Sequence, residues 1–112
     1  MKPEDRVRLE HMIEPPQSAL GFMAGRTRTD LDTDLMLLFA VVRAVEIVGE
    51  AASRVSTEGR ATTPRVPWPA IMGMRYHLVH AYFDIDKDVV WKTVTEELPP
   101  LLTALEAALE GK

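Results

Sequence analysis

Apolar residues recur at intervals of three and four along most of this chain, and no stretch alternates as a half-buried strand would. The first such stretch covers residues 3–23, with Leu9, Met12, Ile13, Ala19, Leu20 and Met23 on its apolar side. Pro15 and Pro16 interrupt it. A proline inside a helix removes a hydrogen bond and crowds the preceding turn. A break is therefore expected there, with a second piece restarting at the prolines. Residues 25–29 read as a connector. The next helix is expected to begin after Asp30 or Asp32, either of which suits a helix start, and to run to about Val55. Leu35, Leu38, Val42 and Val45 form one apolar line along it, and Leu37, Val41, Ala44 and Val48 another. Such coverage predicts a central, buried helix. One narrow charged stripe remains, made of Arg43, Glu46, Glu50 and Arg54.

Residues 57–67 are polar and contain Gly59, Pro64 and Pro67, so a loop is expected. A third helix should start near Trp68-Pro69 and end around Tyr82. The last should start near Asp86 or Asp88, with Trp91, Val94, Leu98, Leu101, Leu105 and Ala108 as its packing seam. Pro99-Pro100 should bend or break it, leaving a terminal piece 101–109. Short connections between amphipathic helices favour antiparallel neighbours. The expected fold is an all-α, antiparallel bundle of four to five helices.

Composition narrows this picture. A chain of 112 residues supports one domain, spanning 1–112, and not two. The absence of cysteine excludes disulfides and thiolate metal sites. No apolar run is long enough to span a bilayer, and the charged N-terminus lacks the apolar stretch of a signal peptide. A soluble, cytoplasmic protein is the expectation. With 13 basic against 17 acidic residues the net charge is −4. That argues against a general nucleic-acid coat, and DNA is not an expected partner. It leaves room for an enzyme that grips RNA at one local basic site.

The chemistry concentrates in Arg75-Tyr76-His77-Leu78-Val79-His80-Ala81-Tyr82, with Asp84 and Asp86 following. These are parts for cutting RNA without a metal. The ribose 2′-hydroxyl can act as the nucleophile, histidine can move the proton near neutral pH, and arginine can stabilise the charge of the transition state. One geometric difficulty stands out. In a continuous α-helix, residues five apart point about 140° away from each other, so Arg75 and His80 would not share a narrow face. Either the helix loosens near its end or a second copy of the chain completes the site.

The spacing Arg75-x4-His80-x-Tyr82 resembles the R-x4-H-x-Y motif of HepT toxins, a family of the HEPN class. The surroundings resemble it too. Ile47-Val48-Gly49-Glu50-Ala51-Ala52 is similar to the family's Gly-Glu-Ala segment, and Val66-Pro67-Trp68 with Ile71-Met72-Gly73-Met74-Arg75 to its lead-in. Leu78-Val79-His80 and Val90-Trp91 also fit, so the likeness extends over about residues 43–102.

The resemblance implies a HEPN-like helical bundle that forms a homodimer, with the two motifs facing across the interface. It implies a metal-independent endoribonuclease acting as a toxin on transfer or messenger RNA, with no cofactor and no metal site. Its partner would be a small MntA-like nucleotidyltransferase antitoxin that adds AMP to the motif tyrosine. Carried over, Arg75 binds the scissile phosphate, His80 is the acid/base, and Tyr82 orders the site and receives the AMP. Tyr76 departs from the small polar residue usual after the motif arginine, and Pro15-Pro16 interrupts a first helix that is normally continuous.

The alternative is a non-catalytic helical dimer that binds a nucleotidyltransferase partner or a nucleotide. A bland alternative also stands for the stripe. Arg43, Glu46 and Glu50 are either a solvated face with helical ion pairs or a partly buried stripe facing a second subunit or the active-site cleft.

Overall fold

In the computed structural model the described residues are 1–81 and 84–111, with positions 75–77 and 79–81 described by their backbone alone. The chain is all-α apart from one small hairpin. Helices α1 (Pro3–His11) and α2 (Glu14–Met23) divide the first apolar stretch. The break falls just before Pro15-Pro16, and both helices carry proline in their first turn, where its missing N–H costs nothing. Gly25 then takes the left-handed conformation (φ 75°) that lets the chain turn out of α2.

The central helix starts later than the sequence suggested. Asp30 and Asp32 lie within a single turn, α3 (Asp30–Thr33), and it is Asp34 that caps α4 (Leu35–Ser53). Its carboxylate accepts from the Leu37 N–H at 3.1 Å. The cap stands directly before the apolar run, which is where an orphan helical N–H needs an acceptor. As expected, α4 forms the middle of the core. Val41, Val45, Val48 and Ala52 are almost wholly buried, with α2 on one side and α6 on the other.

The segment 57–67 is not wholly loop. It contains α5 (Thr57–Ala61), capped by Ser56, whose hydroxyl accepts from the Gly59 N–H at 3.0 Å. Asp5 reaches across from α1 to accept from both the N–H and the hydroxyl of Ser56, which fixes α5 against the N-terminal helix. Trp68 is buried, its indole N–H donating to the Thr63 carbonyl at 3.2 Å.

Helix α6 (Trp68–Leu78) stops four residues short of Tyr82. It gives way to strands β1 (Val79–Ala81) and β2 (Asp84–Ile85), an element that the sequence pattern did not announce. Two paired rungs are too few for alternation to be visible. Helix α7 (Lys87–Lys92) follows, capped by Asp86 as anticipated. The chain then stays helical through the proline pair. A π-helical segment (Thr93–Glu97) leads into α8 (Leu98–Leu109). In a regular helix the rings of Pro99 and Pro100 would press on the carbonyls of Thr95 and Glu96. The wider π turn accommodates them there in place of a break. The assembled chain is a slab 18 Å thick in its least dimension, about two helix diameters.

Candidate functional site

The motif segment is carried by α6, the hairpin and the start of α7. Ile71, Met74 and Leu78, at spacings of three and four, form the buried face of α6. This face packs closely on α4. A β-carbon at Gly49 would lie 3.6 Å from the Ile71 carbonyl oxygen, so a small residue there lets the two backbones approach. Within Gly49-Glu50-Ala51-Ala52, then, the glycine and alanines serve helix packing while Glu50 points outward.

Arg75 follows Met74 on α6. His80 lies on β1, beyond the end of the helix. The β1–β2 register pairs Val79 with Ile85 and Ala81 with Asp84, so two steps on β1 face one step on β2. Position 80 is the extra residue of that bulge, a backbone irregularity that re-aims the chain locally. Arg75 and His80 therefore belong to different elements, and the 140° relation of a continuous helix does not apply to them. Tyr82 lies outside the described residues.

The hairpin is anchored at both ends. The Asp86 N–H donates to the Leu78 carbonyl at 2.8 Å, closing its base. The Asp86 side chain caps α7 by accepting from the Val89 N–H at 3.2 Å. Next to it, Arg28 binds Asp88 at 2.8 Å and Asp32 at 3.1 Å, and Lys87 approaches Asp32 at 3.6 Å. Hydrogen bonds that Arg28 donates to Asp32 and then to Asp88 raise its guanidinium above its ordinary range, and Arg28 in turn lowers Asp32. This cluster ties α3 to the start of α7. Sequence reading passed over it because Arg28 and Asp88 are sixty positions apart.

The charged stripe on α4 is more exposed than a buried stripe would be. Arg43 and Glu50 pair at 3.3 Å, with more than half of each side chain in solvent, while Glu46 is half-buried. Beside them a groove of about 650 Å³ runs between α4 and the α1–α2 pair. Arg8 and His11 from α1 join Arg43 and Arg54 on its walls, and Phe22 and Ile47 supply apolar surface. Nothing in the local sequence of Arg8 and His11 places them beside α4. Among the described residues no group of three His, Asp or Glu side chains is gathered as metal ligands would be. Among the described residues no helix is long and apolar enough to cross a membrane.

Comparison with known proteins adds a family likeness along nearly the whole chain. The model of the family described as "Ribonuclease HepT-like" matches residues 12–108. A Thermococcus cleftensis protein named "Probable ribonuclease HepT" is 37% identical over 101 residues, covering 90% of this chain and 92% of the relative. Two proteins named "Putative RNase" are each 33% identical. The one from Caldanaerobacter subterraneus is covered for 91% of both chains. The one from Methanocaldococcus jannaschii is covered for 88% of this chain and 90% of its own. No solved structure matches.

Proposed function

The chain belongs to the HepT-like ribonuclease family, and from that premise we propose that it is the toxin of a toxin–antitoxin pair, a homodimer that cuts RNA without a metal ion at a site built on Arg75 and His80. Two findings support the reading. The family match spans the motif, and the helix ends at Leu78, which frees His80 from the face that a continuous helix would impose. The second is the observation that carries the proposed mechanism, since it removes the geometric objection to a shared phosphate.

In that mechanism His80 takes the proton from the ribose 2′-hydroxyl as its oxygen bonds to phosphorus. The bond from phosphorus to the 5′-oxygen breaks, and the departing oxygen takes up a proton from water, leaving a cyclic 2′,3′-phosphate. Arg75 holds two phosphate oxygens with its planar fork as negative charge builds on them. Tyr82 orders the site. The partner that silences the enzyme is an MntA-like nucleotidyltransferase antitoxin, which transfers AMP from ATP to the Tyr82 hydroxyl and releases pyrophosphate.

The test is cleavage of RNA in EDTA by the wild type, His80→Ala and Arg75→Ala. The wild type should cut, and loss of the acid/base group should slow cleavage by about 10²–10⁴-fold. Equal rates for wild type and His80→Ala would sink the mechanism. A wild type that binds a nucleotidyltransferase and cuts nothing would make the chain a binding partner rather than an enzyme. For Tyr82, the intact mass should rise by one or more AMP units on incubation with the antitoxin and ATP, and Tyr82→Phe should not gain it.

A further inference from the structure

The most buried helix of the fold leaves one face uncovered, and that face is apolar at one end and charged at the other. On α4, Met36 is 83% exposed, Leu35 62% and Phe39 56%. Met36, Phe39, Arg43, Glu46 and Glu50 follow one another at spacings of three, four, three and four, the interval of a helix–helix seam. Isolated apolar side chains on a surface are ordinary, whereas large ones lined up along one helix mark a contact.

We propose that this face is where a second copy of the chain docks, with the two α4 helices antiparallel and the two-fold axis passing between Glu46 and Ile47. The inference rests on the homodimer of the proposed function and adds its surface and register. The charges fix the register. Arg43 and Glu50 stand at equal distances on either side of that axis, so in an antiparallel pair each Arg43 meets the Glu50 of the partner copy, twice over. A two-fold interface must be complementary to itself in this way. A parallel pair would set Arg43 against Arg43 and Glu50 against Glu50.

The same register supplies a place for the apolar end. Phe39 falls opposite Arg54 of the second copy, which lines the groove between α4 and the α1–α2 pair. An aromatic ring against a guanidinium is a favourable contact. Helix α4 has 19 residues and is about 28 Å long. A near-antiparallel crossing of about 20° keeps both ends engaged.

Gly49, which faces α6, follows Glu46 by three positions on α4, so α6 packs on the side of the helix next to Glu46. The Glu50 of the Gly-Glu-Ala segment, which the chemistry does not use, acquires a role as the pairing residue.

The experiment uses the full chain and measures its mass in solution across concentration. The wild type should be a dimer. Arg43→Glu and Glu50→Arg should each weaken it about tenfold or more, because each sets like charges together at two places. The double variant Arg43→Glu/Glu50→Arg should restore it. The swap also restores the intrachain pair, so the rescue is read together with a cross-link, and circular dichroism should stay the same in all four proteins. Because the chain has no cysteine, Ile47→Cys offers a second reading that needs no charge change. A short bis-maleimide should link it into covalent dimers and leave Thr103→Cys, on the exposed side of α8, as monomers. A wild-type dimer that neither charge reversal weakens and that Ile47→Cys does not cross-link would overturn this surface and leave the homodimer standing. A wild type that stays monomeric at high concentration would overturn both.

Discussion

Asp5 is the one charged side chain that the fold nearly removes from water among the described residues, at 3% exposure. Its position is secured by Ser56. The Ser56 hydroxyl first, and the Ser56 N–H at 2.8 Å second, donate to the carboxylate and hold it below the usual aspartate range, against the opposing effect of burial. A carboxyl lowered in the folded chain contributes stability that is present above its unfolded value of about 3.9. That contribution is lost as pH falls through the lowered folded value. Asp5→Asn keeps an acceptor and loses the charge. We expect it to unfold at lower urea than the wild type at pH 7, and the gap between the two midpoints to close as the pH is taken toward 3. A gap that stays constant with pH would place the contribution in shape rather than charge.

At the scale of elements, the same contact explains why α5 has a glycine inside a helix. A β-carbon at Gly59 would come within 2.5 Å of Asp5 Oδ2 and 2.8 Å of its Cγ, closer than packed atoms can sit. Gly59→Ala should improve the intrinsic helix preference by up to about 1 kcal/mol and lose more through the clash. A net loss of about 1–3 kcal/mol is expected in urea unfolding, with an unchanged slope. Combined with Asp5→Ala, the added cost of Gly59→Ala should largely vanish, because the two residues share one contact. Additive costs would show that the glycine is needed for some other reason.

This pair also shows what could be read in advance. The heptad-like spacing of α4, the restart of the chain at Pro15-Pro16 and the Asp86 cap were legible because each is written within a few neighbouring residues. The α5 helix was hidden because Gly59, Pro64 and Pro67 look like loop residues until Asp5, over fifty positions away, supplies the partner for Ser56. The end of α6 at Leu78 was hidden for a different reason. Val79 and His80 continue a plausible helical pattern, and only pairing with Asp84 and Ile85 draws them into a strand. The candidate site was legible as a motif, through Arg75 and His80, and not as an arrangement, since an arrangement depends on where the helix stops.

On the scale of the whole molecule, charge limits how this protein can hold RNA. The net charge is −4, and many described arginines already face carboxylates. Arg6 pairs with Glu10, Arg26 with Asp30 and Asp34, Arg28 with Asp32 and Asp88, and Arg43 with Glu50. Among the described residues such a chain offers local basic patches, such as the groove walled by Arg8, His11, Arg43 and Arg54, rather than a long basic track along a strand. On the proposed mechanism its grip comes from the few phosphates next to the cleaved one, with Arg75 among the donors. Each phosphate neutralised on a single strand contributes about 0.7 to the slope of log affinity against log salt. Two or three contacts therefore predict a slope of roughly −2. The measurement is binding of a single-stranded RNA to the His80→Ala variant, which should bind without cutting, between about 50 and 200 mM salt. Arg75→Ala introduced into that variant should make the slope shallower by about 0.7. A slope steeper than about −5 would require seven or so neutralised phosphates. That would mean an extended cationic surface, one which the pairing of these arginines does not provide in the single chain.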